Sequence, residues 1–219
     1  MGYVPLLIDL AGKVVLVLGG GPVGERKAEL FSKTDAKVQV FGLDFTDKLK
    51  EMATEDSRGK IELVKGEIKT EKAESSIRNA DLVVIATDDN DLNDELADIS
   101  EREGKLVNKA DDLSTQLMIP SILRKGDVII SISTGGKSPA MCKFLRQKIE
   151  DWLDESYVEM VRIQEEMKKE LKKGVENLER RREILWSLIE DGEIWDLLKS
   201  DPERAMKIAV KKARKRVER

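Results

Sequence analysis

KVVLVLGGGPVG, residues 13–24, is the stretch on which the fold turns. Residues 13–18 form a short, apolar, β-branched run of the kind buried on both faces of a parallel sheet. Gly19, Gly21 and Gly24 then satisfy G-x-G-x-x-G, with Pro22 and Val23 inside the pattern, and residues 25–33 read as a helix. In a dinucleotide-binding turn the first glycine permits the tight bend. The second lets the backbone approach a pyrophosphate, and the third lets the helix pack close to the strand. The phosphates rest on N–H groups at the start of that helix. A glycine-rich turn alone is weak evidence; its place between a strand and a helix gives it weight.

Strand and helix patterns keep alternating beyond the loop. Residues 37–41 (KVQVF), 61–64, 81–86 (DLVVIA) and 105–108 (KLVN) read as strands, and residues 92–102 as a helix. Such alternation implies right-handed crossovers and an α/β class with a Rossmann-type parallel sheet over residues 1–112. The pattern changes after that. Residues 116–123 and 127–133 read as two strands joined by a turn at 124–126, a hairpin signal. Ser138 before Pro139 reads as a helix cap with proline in the first turn, and the chain is helical from there to its end. Three parts are expected: 1–112, 113–150 with short strands and a helix, and a helical 151–219.

Composition narrows the function classes. Of 219 residues, 37% are charged, yet the net charge is only -4. Nearly balanced charges give no general pull toward nucleic acid or an anionic membrane, and neither is expected as a partner. Cys142 is the single cysteine, so no intramolecular disulfide can form. A reducing cytoplasm is the expected location. No apolar run reaches the ~20 residues that span a bilayer, and the start lacks the pattern of a signal peptide. The chain has no histidine, so proton transfer near neutral pH falls to carboxylates, lysine, tyrosine, cysteine or a cofactor. Without a cluster of cysteine and histidine, no preformed structural metal site is expected.

Several residues are candidates at the loop and beyond it. Leu43 and Asp44 follow the second strand, and Asp44 lies ~20 residues past the last glycine, where an acidic residue grips the adenosine ribose. A loop carboxylate or a helix cap before Asp47 reads equally well. No arginine follows the second strand, which favours NAD over NADP as cofactor. Thr87 and Asp88, at the end of the fourth strand, are expected on the nicotinamide side, with a capped turn as the competing reading. Cys142 reads as a small core residue, and Trp152, Trp186 and Trp195 as residues that pack helices. The basic run 211–216 reads as the favourable end of a helix that offsets acidic residues upstream.

With these elements in register, residues ~3 to 150 resemble the precorrin-2 dehydrogenase/sirohydrochlorin ferrochelatase family, the siroheme-synthase N-terminal type. Pro5-Leu6 with Asp9-Leu10 resembles the family's opening. Gly19-Gly20-Gly21 with Val23, then Arg26-Lys27, resembles its GGG-x-V-A-x-R-K signature. Ala86-Thr87-Asp88-Asp89 with Asn93 is similar to its ATDD…N segment. Asn108 with Asp111, Ile119-Pro120-Ser121, and the 133–139 segment STGGKSP complete the likeness. Gly24 stands where the family usually carries alanine, a change expected to matter little because the motif accepts both.

The resemblance implies an enzyme, an NAD-dependent oxidation of precorrin-2 to sirohydrochlorin, with Asp111 as the catalytic carboxylate. It implies that the same base serves when Fe²⁺ is inserted as a second substrate, an activity that sequence does not separate from the first. Asp111 also follows the fifth strand, and ligands of open α/β sheets bind outside the carboxyl ends of strands. A turn residue or helix cap is the plainer reading of it. For a substrate rich in carboxylates, Asn108, Ser133, Thr134, Gly135 and Lys137 are expected contacts. The 133–137 loop leads into a helix start that suits a carboxylate, and ordinary capping by Ser138 reads equally well. The resemblance also implies a homodimer assembled through 113–150, since a lone hairpin cannot bury its own faces. The rival from another class is a non-catalytic NAD-sensing module, which would need neither the 108–120 segment nor the serine-glycine loop.

Overall fold

In the computed structural model, which describes residues 2–55, 59–68, 71–110, 112 and 115–217, the apolar run is a strand, β1 (Val14–Leu18). Successive side chains of a strand point to opposite faces. Leu16 and Leu18 join Phe41, Ile77 and Val83 on one face, while Val15 and Val17 join Ala28, Val38 and Leu49 on the other. Both parities of the run are therefore apolar, and it shows no polar alternation.

The glycine loop leads into α1 (Pro22–Ser32), then β2 (Lys37–Gly42), α2 (Asp47–Glu55) and β3 (Ile61–Lys65). The chain returns through α3 (Glu71–Asn79) to β4 (Leu82–Ile85), and through α4 (Asn90–Arg102) to β5 (Leu106–Lys109). The five strands are parallel in the order β3-β2-β1-β4-β5. The expected α/β class with a Rossmann-type sheet holds. Strand order reverses between β1 and β4, and the crevice beyond their carboxyl ends is where such sheets bind ligands.

Two compact units divide the chain at residues 1–119 and 120–219. The tail of the first runs past β5. Residues 116–120 are not strand, against the expectation of a strand over 116–123. Leu117 N–H donates to Val107 O at 3.0 Å instead, and Leu117 and Ile119 pack on the first unit's core. Pro120 has no N–H to give a ladder, so the strand starts after it.

The second unit opens with an antiparallel hairpin, β6 (Ser121–Lys125) and β7 (Val128–Ile132). Lys125 pairs with Val128, so the turn is Gly126-Asp127 rather than 124–126. Gly126 has a φ of +53°, and a Cβ there would lie 2.5 Å from Val158 Cγ1. Helices α5 (Pro139–Trp152), α6 (Glu155–Gly174), α7 (Leu178–Ile189), α8 (Gly192–Leu198) and α9 (Pro202–Val217) complete it. Met160, Ile163, Met167 and Leu171 form one stripe of α6, facing Ile184 and Leu188 of α7 and Ala205, Ala209 and Ala213 of α9. Lys212 in the basic run pairs with Asp191 and Glu193 at 2.6 and 2.7 Å, which ties α9 to the start of α8.

Trp152 of α5 and Trp195 of α8 both pack against Tyr157 of α6, with ring centroids 4.7 and 5.0 Å apart, as expected, whereas Trp186 is 61% exposed. Cys142 is half-buried beside Thr134 Oγ1 at 3.5 Å on a helix with no fully buried residue, so it is not a core residue. No helix of the described residues is long and apolar enough to cross a membrane.

Candidate functional site

At Gly19 the backbone has φ +122°, a conformation that L side chains rarely adopt, and a Cβ there would lie 2.3 Å from Ala86 O. The loop is stitched to both neighbouring strands: Gly19 N–H donates to Phe41 O, and Ala86 N–H to Leu18 O, each at 2.8 Å. Gly20 is equally confined, since its Cβ would fall 2.0 Å from Asp44 O. Sequence reasoning passed over Gly20 because it occupies a variable position of the motif. Behind them, a Cβ at Gly24 would stand 1.9 Å from Gly19 O. The expectation that alanine at 24 changes little therefore fails here: α1 has closed onto the loop, and a methyl group would push it back.

Gly21 is different. No atom lies within 4 Å of where its Cβ would be. It is the N-cap of α1, in extended conformation, with no side-chain cap and with Pro22 following. The first-turn N–H groups have no acceptor within the helix, and its positive end favours an anion. Three glycines are filled by protein, and the fourth is open to a ligand.

Gly21 lines a cleft of about 790 Å³. Gly19, Pro22, Val23, Leu43, Asp44, Thr87 and Asp88 also stand in its wall. Of the expected cofactor residues, Gly24 alone is behind the wall. Leu43 is 64% exposed, and Asp44 Oδ1 accepts the Phe45 N–H at 2.9 Å. Asp44 does not cap α2; Thr46 Oγ1 does, accepting the Leu49 N–H at 3.2 Å. At the end of β4 the capping carboxylate is Asp89, which accepts the Leu92 N–H at 3.0 Å, and exposed Asp88 remains in the cleft wall. The Thr87 hydroxyl donates to Asn93 Oδ1 at 2.5 Å, and Asn93 Nδ2 returns a bond to Thr87 O at 3.1 Å. Buried Asn93 thus braces the turn, a role that the ATDD…N pattern contained and sequence reasoning left unassigned. These groups fit a dinucleotide: a helix start without a side-chain cap for its phosphates, an open glycine and a carboxylate beside the loop.

A second set of residues surrounds the end of β5. Asn108 is buried; its Nδ2 donates to Leu117 O at 2.7 Å, and its Oδ1 has no hydrogen-bond partner. Thr115 Oγ1 donates to Val107 O at 2.8 Å and accepts the Lys109 N–H at 3.0 Å. Lys109 Nζ pairs with Asp112 Oδ2 at 2.8 Å and with Asp94 Oδ1 of α4. Hydrogen bonds to Asp112 and then Asp94 hold the lysine pKa above its ordinary value. Asp111, the expected base, lies outside the described residues. Its chain neighbours are fixed: Ala110 N–H donates to Ile85 O at 2.8 Å, and Asp112 pairs with Lys109. Among the described residues no group of three or more His, Cys, Asp or Glu side chains is placed to hold a metal ion.

The 133–137 loop belongs to the second unit, and much of it is satisfied internally. Ser133 Oγ accepts the Gly135 N–H at 3.1 Å, and Thr134 Oγ1 accepts the Ser138 N–H at 2.9 Å. Ser138 Oγ caps α5 by accepting the Met141 N–H at 3.2 Å. The ammonium-bearing Lys137 is exposed.

Known proteins fit this geometry. Residues 6–121 match the profile of a family described as NAD(P)-binding. The precorrin-2 dehydrogenase of Methanosarcina barkeri is 37% identical over 207 residues, which cover 93% of this chain and 90% of that protein. The chain belongs to the precorrin-2 dehydrogenase family. Members joined to further sequence include the siroheme synthase of Nitrosococcus oceani, 30% identical over 195 residues, of which the chain spans 40%. The solved structure of SirC, a precorrin-2 dehydrogenase, superposes with a TM-score of 0.73 over 97% of this chain and 100% of that one. At 23% identity that likeness is one of fold.

Proposed function

We propose that this chain oxidises precorrin-2 to sirohydrochlorin with NAD as the electron acceptor. The observation that carries the proposal is the open Gly21 at an uncapped helix start, in a member of this family matched across nearly its whole length. A sensing module would need only the glycine loop. Here Asn108 and Lys109 at the end of β5 are also tied, to Leu117 and Thr115.

Bound NAD supplies the hydride acceptor. The start of α1 holds the pyrophosphate, and Asp44 accepts hydrogen bonds from the adenosine ribose. A 2′-phosphate there would face the Asp44 carboxylate, which selects NAD over NADP. Thr87 and Asp88 stand on the nicotinamide side. As the macrocycle gives up a hydride it also gives up a proton, and Asp111 accepts that proton as general base. Asn108 holds the end of β5 on the substrate side through Nδ2, which donates to Leu117 O. Lys137 pairs with a substrate carboxylate, with Ser133, Thr134 and Gly135 shaping its loop. Insertion of Fe²⁺ would ask the same carboxylate to take pyrrole protons, and adding Fe²⁺ to sirohydrochlorin tests that activity separately.

The proposal includes a homodimer. Helix α5 buries none of its residues, and Met141, Phe144 and Leu145 are 48%, 52% and 38% exposed on it. A second copy would cover that face, as sedimentation would show. A single cysteine suits a reducing cytoplasm as the place of reaction. The residue-level test is Asp111→Ala: NADH formation is abolished and NAD still binds. Near-normal turnover would reject Asp111 as the base.

A further inference from the structure

Asp44 is carried on a short loop, residues 42–46, whose backbone lies directly on the phosphate loop. Thr46 N–H donates to Gly20 O at 3.1 Å. A Cβ at Gly20 would lie 2.0 Å from Asp44 O and 2.8 Å from Phe45 Cδ1. One at Gly42 would lie 3.0 Å from Gly20 N and 3.3 Å from Asp44 O. The backbones of Gly20, Gly42 and Asp44 therefore meet with no side chain between them. Neither glycine has a positive φ, so these positions exclude a side chain rather than a conformation. The far side of the loop is held as well. Phe45 packs on the core that contains Val40 and Leu49, and Thr46 caps α2. Asp44 Oδ1 accepts the Phe45 N–H at 2.9 Å, which ties the carboxylate to its own loop.

We propose, taking Asp44 as the ribose acceptor, that Gly20 is a positioning residue for cofactor selection. By leaving no side chain under residues 42–46, it sets the distance of the Asp44 carboxylate from the pyrophosphate seat. A methyl group forced into so tight a contact shifts the backbone that it meets, here that of Asp44. A hydrogen bond from a ribose hydroxyl to a carboxylate weakens steeply once its geometry is lost. Repulsion of a 2′-phosphate by the same carboxylate also falls with distance. Displacement of the loop thus weakens NAD binding and relieves the penalty on NADP, so the ratio of the two affinities falls. The pyrophosphate and nicotinamide are common to both dinucleotides. A general loosening of the phosphate loop therefore leaves the ratio where it was.

The test is calorimetric titration of the full chain with NAD and with NADP. The variants are Gly20→Ala, Gly42→Ala, Gly21→Ala, Asp44→Ala and the double variant Gly20→Ala/Asp44→Ala. Gly20→Ala is expected to lower the NAD:NADP affinity ratio by about tenfold, the scale of one lost hydrogen bond to a charged group. Gly42→Ala, whose methyl group meets longer distances, lowers it less. Gly21→Ala, at the pyrophosphate seat, weakens both dinucleotides alike and leaves the ratio unchanged. Once Asp44→Ala has removed the carboxylate, adding Gly20→Ala moves the ratio no further. If Gly20→Ala does not fold, Gly42→Ala carries the test, and a wild-type ratio in it overturns the proposal. An unchanged ratio in folded Gly20→Ala, or an equal fall in Gly21→Ala, overturns it while Asp44→Ala still lowers the ratio. A ratio unmoved by Asp44→Ala overturns the ribose assignment and this inference with it.

Discussion

Two loops in this molecule look alike in sequence and differ in construction. Gly19 to Gly24 and Ser133 to Ser138 each follow a strand, each contain adjacent glycines, and each enter a helix through proline, Pro22 or Pro139. In the first, backbone atoms fill the space beside Gly19, Gly20 and Gly24, and Gly21 is left open at an uncapped helix start. In the second, Ser133, Thr134 and Ser138 side chains take up the N–H groups of Gly135, Ser138 and Met141. An anion site requires N–H groups that the protein has not already satisfied. The first loop, whose helix start has no side-chain cap, meets that requirement. What the second offers a carboxylate is chiefly the Lys137 charge.

The strongest way to break this contrast is to add a methyl group to each loop. Gly19→Ala meets both a disallowed φ and a backbone oxygen, and should cost about 3 kcal/mol or more. Gly135→Ala, at φ +61°, should cost about 1 kcal/mol in the same denaturant titration, and equal costs would undo the distinction. Next in size is Gly21→Ala, where the methyl group enters open space. Stability should stay within about 0.5 kcal/mol of wild type. NAD affinity should fall about tenfold or more, a loss of roughly 1.4 kcal/mol that calorimetry would detect. Smallest is Ser138→Ala, which removes the side-chain cap that the first loop lacks. It should cost about 1 kcal/mol, seen as a Tm lower by roughly 2–4 °C, with NAD affinity unchanged.

How much of this was legible in sequence depends on whether one segment was enough to decide it. β1 was readable because burial on both faces makes every position apolar. The helix after it begins at Pro22 rather than residue 25, since the glycine loop itself forms the first turn. Residues 116–120 were misread because their apolar pattern serves the edge of β5 and the first unit's core, a use that local periodicity cannot reveal. The exposed Trp186 was misjudged for the same reason: helical spacing shows that a stripe exists, but not what covers it. At the site, the alternatives for Asp44 narrowed only when Thr46 emerged as the α2 cap. The Lys109 ion pairs carried no sequence signal, because they depend on the register of α4 that brings Asp94 to β5.

The central claim is that the open loop binds NAD in order to oxidise precorrin-2. It is tested most directly by mixing purified protein with precorrin-2 and NAD while following NADH absorbance and the macrocycle spectrum together. The account predicts that NADH and sirohydrochlorin appear in equal amounts, and that both are lost in Asp111→Ala. No turnover with NAD or NADP would contradict it.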